Sequence, residues 1–258
     1  MKCDRRDSSA ISSETLADAL EHHRIEQLEP LAIGAHRQGV GCLFVAPSSW
    51  PGEPPLKPLE PVPPRPTLVD FFKLRFTPGT VSHVLQSATR AMKQGHPEET
   101  ILACLLHDIV FDLIKVDHGW WGAQLVEPYV PEKVSWAIRY HQALRFYPDP
   151  SVGYEYPEMY NRLFGKDYVP EPYIEEAYKY ALNHKWYMEA RLVTLNDEYS
   201  FDSNAKVSIE PFIDIIGRHF KQPKEGLGYD NSPVSHMWRS LIYPDRPPTV
   251  RQFMGGVF

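Results

Sequence analysis

The stretch Ala103-Cys104-Leu105-Leu106-His107-Asp108-Ile109-Val110-Phe111-Asp112-Leu113 decides how this chain is read. It is strongly apolar, yet it sets an imidazole and a carboxylate side by side. Burying such a pair costs roughly several kcal/mol unless both groups find partners. A metal ion supplies a partner for both; so does a helix end at which the His packs and the Asp caps a turn. Just upstream, His96-Pro97-Glu98-Glu99 opens a helix, with acids in the first turn where the dipole favours them. Ile101, Leu102, Leu105, Leu106 and Ile109 then recur at helical spacing.

Outward from this helix the chain stays helical. Thr77-Pro78 is a cap followed by proline at the first helical position, and Gly95 stops that helix after Gln94. Asp117 is expected to cap a helix over 118–127. Pro131 opens another, with Val134, Ile138 and His141 on one face. A Pro/Tyr-rich loop over 147–157 precedes helices at 158–165, 172–183 and 185–202, and Ser208 with Pro211 starts a last one to about residue 221. The tail from 222, which holds Trp238, reads as loop. Ser13 caps a short helix over 13–28. Nine prolines between 47 and 66 leave no room for a helix or central strand, so this segment is an extended arm. Its Trp50, Leu56, Leu59 and Val62 are expected to pack on the same domain or across a homodimer. The expected architecture is all-α: a helical bundle over 67–222, a Pro-rich N-terminal extension (1–66) and a C-terminal tail (223–258) packed on the bundle.

Composition narrows the function classes. With 258 residues, 43% hydrophobic and 23% charged, the chain buries a core without disulfides. A net charge of −6 with no basic run argues against nucleic acid as a partner. Cys3, Cys42 and Cys104 form neither a disulfide framework nor a CxxC site, which fits a reducing compartment. No apolar stretch approaches the roughly 20 residues that span a bilayer. The N-terminus lacks the apolar core of a secretory signal. A cytoplasmic protein without a membrane partner is expected.

The His-Asp pair is not isolated. His83 lies 24 residues before His107, His118 lies 10 after Asp108, His141 lies 23 after His118, and Asp197 lies 56 after His141. Each falls on a predicted helix or at its end. Packed as a bundle, the helices would turn these groups inward together, as in carboxylate-bridged metal proteins. Imidazole and carboxylate without thiolate suit iron, manganese or zinc, so the donors alone do not choose the metal. A metal pair activates either water or O2, so they do not choose the reaction.

The order His…His-Asp…His…His…Asp resembles the HD-domain superfamily of metalloenzymes, over roughly residues 70–205. The resemblance implies that His83, His107, Asp108 and Asp197 hold one metal. It also implies that His118 and His141 serve a second, with Asp108 bridging and catalytic. The segment His118-Gly119-Trp120-Trp121-Gly122-Ala123, the basic Arg145 one turn after His141 and the Tyr-rich insert resemble the diiron HD-domain oxygenases that cleave organophosphonates, distant relatives of myo-inositol oxygenase. That implies two iron ions (Fe2+/Fe3+), O2 and a small polar or anionic substrate. The chain departs from the pattern in its substrate contacts. Ile109, Val110 and Phe111 follow the pair where HD phosphohydrolases carry a polar residue and phosphonate oxygenases a His. Lys73 and Phe76 stand where those oxygenases have Tyr and Glu. Thr194, with Arg191 nearby, stands where they have an Arg. A phosphohydrolase of nucleotides or small phosphoesters and a hydratase or lyase are the alternatives on the same cage.

Arg145 is expected to orient an anionic substrate group bidentately and so to share in catalysis. Lys115 and Tyr147 are further substrate contacts. Tyr140, Tyr154 and Tyr156 are read as packing residues, and His184 as a surface or capping histidine. One of Trp120 and Trp121 is expected to wall the site. Asp112 and Glu198 are expected to accept hydrogen bonds from the ligand imidazoles. His22 and His23, about 100° apart on a helix, are read as solvated.

Overall fold

The computed structural model describes residues 59–111 and 113–242. The 13–28 helix, Cys3, Cys42, His22, His23, Trp50, Leu56 and Asp112 lie outside the described residues, as does most of the Pro-rich arm. The described chain is helical, with no strand among these residues. In order come α1 (Leu68–Leu74), α2 (Pro78–Lys93), α3 (Glu98–Leu106), α4 (His118–Val126), α5 (Glu132–Leu144), α6 (Glu158–Phe164), α7 (Pro172–Leu182), α8 (Tyr187–Glu198), α9 (Ile213–His219) and α10 (Ser235–Ile242). Helices α2, α3, α5 and α8 pack on one another around one apolar core, with α4 against α5.

Local chemistry sets most boundaries. Thr77 caps α2 by accepting from Thr80 N, and Gly95 ends it at φ 73°. Helix α3 is buried from Thr100 to Leu106. At its first residue, the Glu98 carboxylate accepts from Arg218 and His219 and so ties on α9.

Three expectations are corrected. Helix α1 was not anticipated, although its signal is in the sequence: Thr67 and Asp70 form a reciprocal capping box, Asp70 N donating to Thr67 Oγ1 and Thr67 N to Asp70 Oδ2. The tail is not loop to its end. Helix α10 carries Trp238 fully buried, its ring edge-on to Phe71 at 4.7 Å and its Nε1 donating to Leu125 O. Finally, Asp117 stands at the start of α4 but does not cap it. Its backbone is left-handed, at φ 55°, and burial, helped by its nearby charge, raises the pKa of Tyr173.

Candidate metal centre

Each of the six candidate ligands comes from, or borders, a core helix. His83 lies on α2, His107 and Asp108 directly follow α3, His118 opens α4, His141 lies on α5, and Asp197 on α8. The structure brings all six together. His83, His107, Asp108 and Asp197 form one group and Asp108, His118 and His141 another. Within each group, one donor atom per residue lies within 4.8 Å of the rest. Asp108 belongs to both.

The imidazoles are oriented by backbone. Nδ1 of His107 faces Cys104 O at 2.8 Å, that of His118 faces Lys115 O at 2.8 Å, and that of His141 faces Ile138 O at 2.6 Å. Nδ1 of His83 faces Ser200 O at 3.0 Å. A carbonyl can only accept, so each Nδ1 is an N–H and each ring turns Nε2 inward, as a lone pair wherever the ring is neutral. Three of the four carbonyls lie three residues before their histidine, so the local backbone sets both tautomer and ring direction. This corrects the expectation for Glu198: the imidazole N–H groups go to carbonyls, not to that carboxylate.

The inward atoms crowd together. His83 Nε2 is 3.2 Å from His107 Nε2, 3.1 Å from Asp197 Oδ1 and 3.5 Å from Asp108 Oδ2. Asp108 Oδ1 is 3.1 Å from His118 Nε2, 3.5 Å from His141 Nε2 and 3.6 Å from His107 Nε2. His83 is partly covered and the other five side chains are buried. Asp108 Oδ1, His118 Nε2 and His141 Nε2 lack any hydrogen-bond partner. Buried acceptors facing one another are costly, and a cation between them removes the cost. The donor set and its orientation therefore fit divalent metal ions.

The electrostatics agree. Burial opposes charge on His83, but its bonds to Asp108 and Asp197 prevail and raise its pKa to about 10. Burial lowers that of His141 to about 4. Burial works against ionisation of Asp108 and Asp197 too, but the surrounding imidazoles, joined at Asp197 by Arg145, hold both carboxyls well below the usual range. Glu198, half-buried, is raised to about 7 by burial and the neighbouring Asp197 charge.

Two glycines make room for this arrangement. A Cβ on Gly119 would lie 2.9 Å from Ile138 O and 3.1 Å from His141 Cε1, and one on Gly122 would lie 3.4 Å from His107 O. Gly119→Ala is therefore expected to push α4 away from His141 and to cost about 1–3 kcal/mol. Thermal melting and metal content, read together, check this; an unchanged melting temperature with full metal content contradicts it.

The residues expected to meet substrate fall differently. Of Arg145, Lys115 and Tyr147, only Arg145 bonds one of the six with its side chain, donating from Nη2 to Asp197 Oδ2 at 3.0 Å. Lys115 is exposed and contributes its carbonyl to His118 instead. Tyr147, just past α5, lies flat on Tyr178 at 3.7 Å. Tyr140 packs on Trp136, Tyr156 on Tyr160, and Tyr154 is buried with its OH on Arg145 O. His184 stacks on Trp136 and accepts from Trp186 N. Thr194 donates to His141 O, and Arg191 donates to Leu144 O and Tyr187 OH, so neither side chain turns to the inward donor atoms. Lys73 pairs with Glu210, and Phe76 packs on Phe71 and Phe72. Neither Trp120 nor Trp121 walls the cluster. Both line a cleft of about 570 Å³ with Tyr140, Tyr173 and Tyr180, which none of the six residues lines.

Two aromatic contacts were not foreseen. Phe201, exposed, stacks on His83 at 4.5 Å, and Phe111 stands edge-on to His118 at 5.3 Å. One histidine of each group thus carries a phenyl ring.

Comparison with known proteins bears on this geometry. Residues 80–202 match the HD domain family model, a span that contains all six clustered residues. Over 92 residues the chain is 36% identical to the 1-hydroxy-2-(trimethylamino)ethylphosphonate dioxygenase (glycine-betaine-forming) of Leisingera caerulea. That match covers 31% of this chain and 45% of the relative, less than half of its length.

Proposed function

We propose, from the match of residues 80–202 to the HD domain family model, that the chain is a metal-dependent enzyme that uses O2 to oxidise a small substrate. His83, His107, Asp108 and Asp197 hold one ion; Asp108, His118 and His141 hold a second, with Asp108 between them. One observation carries the reading: inward Nε2 and carboxylate atoms, among them the buried and unpartnered Asp108 Oδ1, His118 Nε2 and His141 Nε2, are set in two groups that share a carboxylate.

The donors suit iron, manganese or zinc. Iron is chosen because the similar protein is a dioxygenase. Bound here, iron would supply electrons for O2 and a Lewis acid for a polar substrate group. The chain's own residues do the rest. Backbone carbonyls lock the four rings. Ile109 and Val110, which directly follow Asp108, are buried in the apolar core. Phe111 and Phe201 give His118 and His83 an apolar flank. The substrate of the relative is not carried over, because Phe111, Thr194, Lys73 and Phe76 replace the groups that the phosphonate pattern calls for.

Protein purified without oxygen is expected to contain two iron ions per chain and to show the resonance of a mixed-valent pair after partial oxidation. Turnover in a screen of small hydroxylated compounds should consume O2. Full turnover under strict anaerobiosis removes the oxygenase reading, and phosphate release from phosphoesters without O2 replaces it with hydrolysis.

A further inference from the structure

We infer that Arg145 is a positioning residue that acts on the metal centre through Asp197, and that its guanidinium is not the receptor for a substrate anion. The inference rests on the metal assignment proposed above. Asp197 divides its oxygens: Oδ1 faces His83 and His107 Nε2 at 3.1 and 3.6 Å, while Oδ2 accepts from Arg145 Nη2 at 3.0 Å. The bond from Arg145 takes one acceptor site of Oδ2 and leaves Oδ1 as the oxygen turned to the imidazole nitrogens. Arg145 thus fixes the direction in which Asp197 presents Oδ1.

The arginine is itself held. Its side chain is 18% exposed, its guanidinium lies 5.5 Å from the ring centroid of Tyr160, and its carbonyl accepts from Tyr154 OH. Tyr154 in turn lies under Arg191, at 5.0 Å, and Arg191 reaches back to Leu144 O. The Tyr-rich insert therefore works as a brace for Arg145. Swinging the guanidinium toward a substrate would break its bond to Asp197 and leave a buried carboxylate oxygen bare. Arg145 Nε is likewise buried and has no partner.

The test compares wild type, Arg145→Lys and Arg145→Gln, each loaded anaerobically with ferrous iron and then exposed to the chelator ferrozine. Partners behind a metal ligand typically govern metal affinity by about 10–100-fold. The Gln variant is expected to lose one iron equivalent about 10–100-fold faster than wild type and the other at the wild-type rate. Arg145 bonds no ligand of the His118–His141 group. Lys, which still offers a charged donor to Oδ2, should restore most of the difference. Methylphosphonate, followed through the optical spectrum of the iron centre, should affect wild type and the Gln variant alike. A Gln variant that keeps both ions but binds methylphosphonate tenfold more weakly makes Arg145 the anion receptor and overturns the inference. So does equal loss of both ions, or a Lys variant no better than Gln, since either marks a general structural role. Wild type that takes up no iron sinks the metal assignment itself, a result distinct from these.

Discussion

Asp108→Ala is expected to strip the protein of both metal ions, and of its activity with them. Asp108 is the residue common to the two donor groups. Its Oδ1 stands 3.1 to 3.6 Å from three imidazole nitrogens, and its Oδ2 stands 3.5 Å from the fourth. Without the carboxylate, the His118–His141 group keeps two neutral donors and no negative charge, too little for a buried divalent ion. The other group keeps Asp197 but loses half its negative charge. His141→Ala, by contrast, touches one group and should cost one ion. Metal analysis of anaerobically purified protein reads the difference, with circular dichroism to confirm that each variant is folded. An Asp108→Ala protein that still carries two ions would refute the shared-carboxylate arrangement.

The second large effect is on pH. In the metal-free protein the His83 ring carries a proton through the neutral range, because Asp108 and Asp197 raise its pKa from 6.5 to about 10. The sign for stability follows. The proton stabilises the metal-free fold fully below pH 6.5, and that contribution is lost as pH rises through about 10. For metal binding the sign is opposite, since an ion at Nε2 must displace that proton. Affinity at the His83 group should therefore climb about tenfold per pH unit between about pH 7 and pH 9, levelling off near pH 10. The His118–His141 group should lack this dependence in the same range, because burial keeps His141 neutral well below it, with a pKa of about 4. Titration calorimetry with Mn2+ in two buffers of different ionisation enthalpy measures the released proton. Identical heats in both buffers would contradict the assignment of His83 as a proton-carrying ligand.

Much of this was legible in residue order. The helix starts at Thr77-Pro78 and after Pro131 depend on capping and on a fixed φ, which neighbours in sequence supply, and they fell where expected. Helix α10 was hidden because Gly226, Gly228 and Pro233 crowd its start, and its apolar face at Val234, Trp238, Leu241 and Ile242 gains its value only against Phe71 and Leu125. The Asp117 cap failed because its backbone is left-handed, at φ 55°, not the extended conformation from which a side chain reaches the first helical N–H groups. The carbonyls behind His107, His118 and His141 lie three residues upstream, but nothing in residue identity marks a carbonyl as a partner.

The residue types and their order decided, without any structure, that this is a helical chain with six imidazole and carboxylate groups of metal-binding kind, because donor chemistry and helix signals are local properties. Only the tertiary structure decided that the six converge, that every Nε2 points inward, and that Arg145 is committed to Asp197 while Lys115 and Tyr147 stay clear. Those outcomes depend on how α2, α3, α4, α5 and α8 cross, and the crossing is set by packing between side chains that are distant in the sequence.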